Sequence, residues 1–276
     1  MSQHIEIHTQ QLIDPDHLYY YLEATLGSIN AIKKSDEGLY FYIQDQSTRG
    51  VDFWKENYGY EIRCTSMSSQ ADYSIAKVLV QYFLDFQKSA VILFDNEPWK
   101  YNNVEKLRFN TLESDANIIK MMVQLNNETI TLFGTQRQFH IGVNVLNKLQ
   151  PEVEGWDQRL MDLFLKVQYH LPESESDQVM MIGNDEETKK EVKLVNRSTN
   201  YVLSKYDYLL FSDEETNGTI DNMVLVTNDV LNQNLPEKWE LIDEYTVVAP
   251  SLTVEEYLLL KEQLKPYNQI HVFAKR

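Results

Sequence analysis

The chain has 276 residues, and 42 aspartates and glutamates outnumber 25 lysines and arginines, for a formal net charge of −17. A surplus of that sign repels phosphate backbones and anionic lipid, which argues against nucleic acid and membrane surfaces and in favour of basic protein partners. Hydrophobic residues at 43% and aromatic residues at 12% separate the chain from disordered acidic tails, and its length suits two modest domains.

The charge is uneven: residues 1–150 carry 13 basic and 18 acidic side chains, and residues 151–276 carry 12 and 24. A single cysteine, Cys64, cannot form an internal disulfide, which fits a reducing compartment. It lies in the alternating stretch GYEIRCTS, where a buried, inert thiol is expected, with Arg63 on the opposite face. The opening MSQHIEIHTQQ has neither a basic leader nor an apolar core, and charges interrupt every apolar run, so a cytoplasmic location is expected.

In chain order, residues 4–8 alternate as a strand, and Asp14-Pro15-Asp16 opens a helix that Gly27 stops. Residues 39–44 and 59–65 read as an antiparallel strand pair around the STRG turn at 47–50. Ser69, with Asp72 at the third helical position, caps a helix carrying Tyr73, Ile75, Ala76, Leu79, Val80, Phe83 and Leu84. The apolar run AVILF at 90–94 then predicts a buried central strand. A second helix starts near Thr111 and carries Ile118, Ile119, Met122 and Leu125, and residues 129–133 and 139–143 form a strand pair about Gly134.

Gln150-Pro151-Glu152 and the change in charge density set the expected domain boundary, giving domains 1–150 and 151–276. Residues 155–171 are an amphipathic helix ended by Pro172, with Trp156, Leu160, Leu163, Phe164 and Val167 on one face. Acidic stretches at 173–177 and 183–190 flank a strand at 179–182, and further strands are expected at 192–195, 206–211, 223–226 and 239–248. Thr253-Val254-Glu255-Glu256 is a capping box, the helix it opens is stopped by Pro266, and a last strand covers 270–274. Strand, capped helix and strand thus occur twice, at 59–94 and 245–273, as candidate copies of one unit with unequal spacing. The resulting fold class is α+β: two mixed domains, each a mostly antiparallel sheet covered by amphipathic helices.

The best candidate ligand site is the loop 213–221, where Asp213, Glu215, Asn217 and Asp221 offer oxygen ligands and Gly218 a sharp turn, in part the pattern of a calcium loop. Val224 stands where the pattern needs a bidentate glutamate, and the flanking runs read as strands, so an acidic hairpin loop is the plainer reading and no cofactor is expected. Six scattered histidines lack zinc-helix spacing, with His140 and His271 expected as structural residues in strands, and no G-x-S-x-G or phosphate loop occurs. Exposed aromatic residues anchor interfaces. Trp54 and Trp99, together with the acidic Asp213, Glu214 and Glu215, are therefore the candidate partner-binding residues, Trp99 in a loop just beyond the strand at 90–94.

Three stretches, the STRG turn, GYEIRCTSMSSQAD at 59–72 and TLFGTQRQFHIG at 131–142, resemble an uncharacterised family of acidic bacterial proteins of unknown function, mainly over residues 40–150. The resemblance implies a bacterial, cytoplasmic protein and carries no catalytic residues. The expected function is non-enzymatic: an acidic surface binding a basic protein, in the manner of bacterial immunity proteins. The alternative is an enzyme or small-ligand binder with an inter-domain cleft and dispersed carboxylates.

Overall fold

A computed structural model describes residues 2–101, 104, 111–183, 188–212 and 222–271. The fold is α+β, with mostly antiparallel sheets. The chain divides into two units between His170 and Leu171. The helix at 155–171, which the boundary at 150 assigns to the second domain, therefore belongs with the first.

The first unit is built on a seven-stranded sheet. Its first strand, β1 (Gln3–His8), is followed by helix α1 (Pro15–Leu26), which Asp14 caps by accepting from the Asp16 N–H and Gly27 ends at φ 81°. Strands β2 (Asn30–Lys33), β3 (Gly38–Tyr42), β4 (Val51–Glu56) and β5 (Gly59–Cys64) come next, then helix α2 (Gln70–Phe86) and strands β6 (Val91–Phe94) and β7 (Glu97–Pro98). The sheet order is β2-β3-β4-β5-β1-β6-β7. The expected pairing of 39–44 with 59–65 is therefore corrected: β4 lies between them, antiparallel to both. In the stretch VDFWKE, only Val51 and Phe53 are buried; Lys55, next on the same face, is exposed, and the outward Trp54 is apolar, so the alternation is weak.

The run AVILF is not central either. Strand β6 lies near the sheet edge, with only the short β7 beyond it, and Val91 is 54% exposed. Its apolar side chains divide between the sheet faces, since Ile92 lies opposite Ile7 in the core and Leu93 opposite Glu6 on the other side.

Helices α1 and α2 cover one face of this sheet. The cross-strand row Leu39, Phe53, Ile62, Ile5, Phe94 and the row Tyr60, Ile7, Ile92 meet Leu18 and Leu22 of α1 and Ile75, Leu79 and Phe83 of α2. Phe53, Tyr60 and Phe83 lie within 6.2 Å of one another, centroid to centroid. Burying side chains of this size contributes about 1.5–3 kcal/mol each. Ser69 and Asp72 form the expected reciprocal cap of α2.

A second layer follows: α3 (Leu112–Asn126), the hairpin β8 (Ile130–Phe133) and β9 (Gln138–Ile141), α4 (Val143–Leu149) and α5 (Trp156–Tyr169). The inward face of α3 is Ala116, Ile119 and Val123, whereas Met122 and Leu125, expected to be buried, are 44% and 75% exposed. Phe139 of β9 stacks on Phe164 of α5 at 4.8 Å, and buried His140 shares a hydrogen bond with Thr131.

This layer is tied to the first by polar contacts. The Thr135 N–H donates to Thr48 O (3.1 Å), Tyr169 OH to Ser47 O (2.6 Å), and the Met67 N–H to Asp115 Oδ2 (3.0 Å). The STRG turn, the 59–72 stretch and the hairpin at 131–142, remote in sequence, thus converge in space. These bonds explain why the unit extends to His170.

The second unit holds two sheets, with a main core that draws on both and a smaller cluster about Val192, Leu210 and Leu225. Strands β10 (Val179–Ile182), β11 (Lys190–Val195), β13 (Tyr208–Phe211) and β14 (Val224–Val226) form the first, and β12 (Tyr201–Leu203), β16 (Val247–Ala249) and β15 (Glu240–Leu241) the second. The β11–β13 pair is parallel, because the chain leaves the first sheet through β12 before returning. A short helix, α6 (Asn228–Asn232), and α7 (Val254–Leu264) complete the unit. Tyr257 of α7 is buried and donates to Val195 O (2.7 Å) and Ser212 O (3.0 Å).

The single strand expected over 239–248 is instead two short ones, because the Asp243 carboxylate accepts from the N–H groups of Tyr245 and Thr246 and turns the chain. Pro266 sits inside a 3-10 turn, Lys265–Tyr267, that extends α7. Ile270 and His271 are helical rather than strand, and residues 272–274 of the expected last strand lie outside the described residues. The two strand-helix-strand stretches consequently differ: β5 and β6 both flank β1, with no counterpart among the described residues after α7.

Candidate functional site

The sheet face opposite α1 and α2 carries the polar half of each alternating strand. Register places Tyr40, Asp52, Arg63 and His4 in one cross-strand row, Gly38, Trp54, Glu61, Glu6 and Leu93 in the next, and Glu56, Gly59, His8 and Val91 in the third. Strands β1, β4 and β5 thus display aromatic and ionisable groups at the spacing of the pleat.

One end of this face is charge-balanced. Asp52 accepts from Lys34 Nζ and Arg63 Nη2, each at 2.7 Å. Burial opposes ionisation there, but the hydrogen bonds from Lys34 and Arg63 outweigh it and hold the carboxyl below its ordinary value. Arg49 donates from Nε to Thr65 Oγ1 at 2.8 Å, and burial lowers its guanidinium pKa.

The other end is different. Trp54 is partly exposed and donates from Nε1 to Glu56 Oε1 (2.7 Å), while the Arg63 guanidinium lies 5.5 Å from its ring. Glu61 is held by Tyr58 OH (2.8 Å) and His4 Nδ1, and Glu6 by His8 Nε2 (2.8 Å). Tyr58 stacks on His8 at 4.6 Å, and burial together with the bond to Glu61 pushes its phenol pKa well up. Glu6, Glu56 and Glu61 are therefore positioned by imidazole, phenol and indole. Among the described residues none has a lysine or arginine within ion-pair distance; the imidazoles of His4 and His8 are the groups that pair with Glu61 and Glu6, as ion pairs only when protonated.

Of the candidate partner-binding residues, Trp54 stands at the centre of this face. Trp99 is elsewhere: its backbone N–H donates to Ile92 O (2.7 Å), its ring meets Tyr101 edge-on at 5.0 Å, and it packs on the helix-side core. The Asp95-Asn96 turn before it has both residues at positive φ, the hairpin geometry that joins β6 to β7. Asp213, Glu214 and Glu215, and the calcium candidates Asn217 and Asp221, lie outside the described residues.

Sequence reasoning did not assemble Glu6, Glu56, Tyr58 and Glu61. The signal was the alternation of VDFWKE against GYEIRC, which becomes legible only once β4 is recognised as a strand. Trp156 and Trp239 are core residues, 6% and 7% exposed.

A groove of about 560 Å³ lies at the start of α2, lined by residues that include Gln46, Ser68, Gln70 and Met161, with Asp45 its one described carboxylate. Among the described residues, no three His, Cys, Asp or Glu side chains are grouped to hold a metal, and no helix is long and apolar enough to cross a membrane. Compared with known proteins, the chain matches no family model, no curated protein and no solved structure.

Proposed function

We propose that this chain is a non-enzymatic binding protein that engages a basic protein partner through the open face of its first sheet, in the manner of an immunity protein. One observation carries the reading: the carboxylates of Glu6, Glu56 and Glu61, held by the His8 imidazole, the Trp54 indole and the Tyr58 phenol, lie on the same face as the partly exposed Trp54. A tryptophan anchor among carboxylates that no described lysine or arginine neutralises is suited to bind lysine- and arginine-rich surfaces, the charge raising the association rate and the indole slowing release. The bacterial cytoplasm is the proposed setting, which the single, buried Cys64 suits.

The test is a pull-down from the native host at about 50 mM and about 500 mM salt, comparing the wild-type chain with W54A and with E6Q/E56Q/E61Q. A basic protein captured by the wild type, released by salt, and lost at least about tenfold with either variant is the expected result. Capture that ignores salt, or survives both variants unchanged, rules the proposal out. Melting curves establish that the variants remain folded.

A further inference from the structure

On the helix-covered side of the first sheet, where the chain enters α1, lies a cavity of about 380 Å³. That volume is at the small end of the range for ligand pockets. Part of the lining is apolar: Ile13, Leu39, Phe53 and Tyr60 contribute to it, together with Leu12, which is 74% exposed. Phe53 and Tyr60 stack at 5.4 Å, and the Ile13 N–H donates to Tyr60 OH at 3.0 Å, tying the segment before α1 to the sheet. The apolar lining is thus preformed.

The charged part of the lining comes from Lys33, Asp36 and Glu37 about the β2–β3 turn and from Lys55 of β4. Lys33 and Asp36 form an ion pair at 2.8 Å. The Lys55 N–H donates to Glu37 O at 2.8 Å, so these two side chains leave neighbouring positions. Among the described residues, however, neither the Lys55 ammonium nor the Glu37 carboxylate has an ion-pair partner. The charges decide the ligand. A simple anion meets Asp36 and Glu37 as well as the lysines, and a simple cation meets Lys33 and Lys55. A wholly apolar molecule takes water from Lys55 and Glu37 and returns nothing. A compact molecule with one charge of each sign beside an apolar body satisfies both parts of the lining.

We propose that this cavity binds a free amino acid with a large apolar side chain, its carboxylate meeting Lys55, its ammonium meeting Glu37, and its side chain lying against Leu39, Phe53 and Tyr60. The charge-assisted bonds orient the head group, and burial of the side chain supplies affinity. Phe53 and Lys55 alternate with Trp54 along β4, so the cavity is on the other side of the sheet from the proposed partner-binding face. The two readings stand independently.

The test uses the whole chain, isotopically labelled, titrated with L-phenylalanine and with L-leucine. Each is run beside its analogue lacking the amine, its analogue lacking the carboxylate, and glycine. At least one of the two amino acids should shift amides among residues 12–13, 33–39 and 53–60 and bind at least about tenfold more tightly than its analogues and glycine. K55Q should remove the advantage of the carboxylate, so that the amino acid and its carboxylate-free analogue bind alike, and E37Q should do the same for the amine. Both side chains are exposed, and melting curves check that the variants remain folded. An analogue that binds as tightly as its amino acid, affinity unchanged in both variants, amide shifts confined to other residues, or no shift with either amino acid at about 10 mM would each overturn the inference.

Discussion

Asp72 and Gly50 are joined by a hydrogen bond from the Gly50 N–H to Asp72 Oδ1, at 3.0 Å, so the first turn of α2 holds the far end of the STRG turn. The second carboxylate oxygen accepts from the N–H groups of Thr48 (3.2 Å), Arg49 (3.1 Å) and Ser69 (2.8 Å), and from Thr48 Oγ1 (3.2 Å). Asp72 is wholly buried, so a substitution strands these donors without water to replace it. D72N keeps one acceptor oxygen and loses the charge. It should destabilise the chain by about 3 kcal/mol, read as a lower urea midpoint by tryptophan fluorescence, and D72A should cost more. A D72N midpoint equal to the wild type would show that the turn is held by other contacts.

Gly50 makes a separate demand. It has φ 61°, and a Cβ there would come within 2.4 Å of Tyr40 Cζ, whose ring is fixed because its hydroxyl donates to Arg49 O at 2.7 Å. G50A combines left-handed strain with overpacking and should cost about 2–4 kcal/mol. Shrinking the neighbour in G50A/Y40L should recover part of that loss. If the double variant melts below G50A by the full cost of Y40L alone, the two residues are not coupled as the geometry requires.

Legibility in the sequence followed the range of the interaction that decides each feature. The caps of α1, α2 and α7 are local: Asp14, Ser69 and Thr253 lie within three residues of the N–H groups they satisfy, and all three helices begin where those residues indicate. Strand partners are decided at long range. The run 90–94 looks central because its residues are apolar, yet its position depends on β1 returning between β5 and β6, which no local pattern encodes. Likewise, α3 turns Val123 rather than Met122 inward because of what α5 and β8 present to it. Composition shows a chain rich in acidic and aromatic residues but not which of them share a face. The assembly of the open face from His4, Glu6, Trp54, Tyr58 and Glu61 depends on register among β1, β4 and β5, and so appears only in three dimensions.

Cys64 offers a check on the packing of α2 against the sheet. The thiol is 2% exposed, and burial, with the nearby Asp72 and Asp52 carboxylates adding to it, raises its pKa well above the ordinary thiol value. Alkylation requires the thiolate and a path to it. In native buffer at about pH 8, iodoacetamide should label Cys64 at least about a hundredfold more slowly than a free cysteine, corresponding to an opening cost of about 3 kcal/mol. Labelling should become complete in denaturant, as followed by mass spectrometry. Rapid native labelling would mean that the core beneath α2 opens far more readily than its packing implies.

In the second unit, Glu256 completes the cap of α7: its carboxylate accepts from the Thr253 N–H at 2.7 Å and meets Lys238 Nζ at 2.7 Å. The hydrogen bond from Lys238, followed by those from the Thr253 backbone and side chain, lowers its pKa from 4.5 to about 2. A carboxylate with a lower pKa folded than unfolded stabilises the folded state when ionised. That contribution is therefore complete above pH about 4.5 and disappears as the pH falls toward 2. E256Q should melt below the wild type at pH 7, and the gap should close steadily between pH 4.5 and pH 2, most visibly at low salt because the pair is exposed. K238M should show a smaller gap over the same range, since it removes the first cause and leaves the cap bonds. A gap between E256Q and wild type that stays constant across that range would assign the effect to side-chain shape and not to the carboxylate charge.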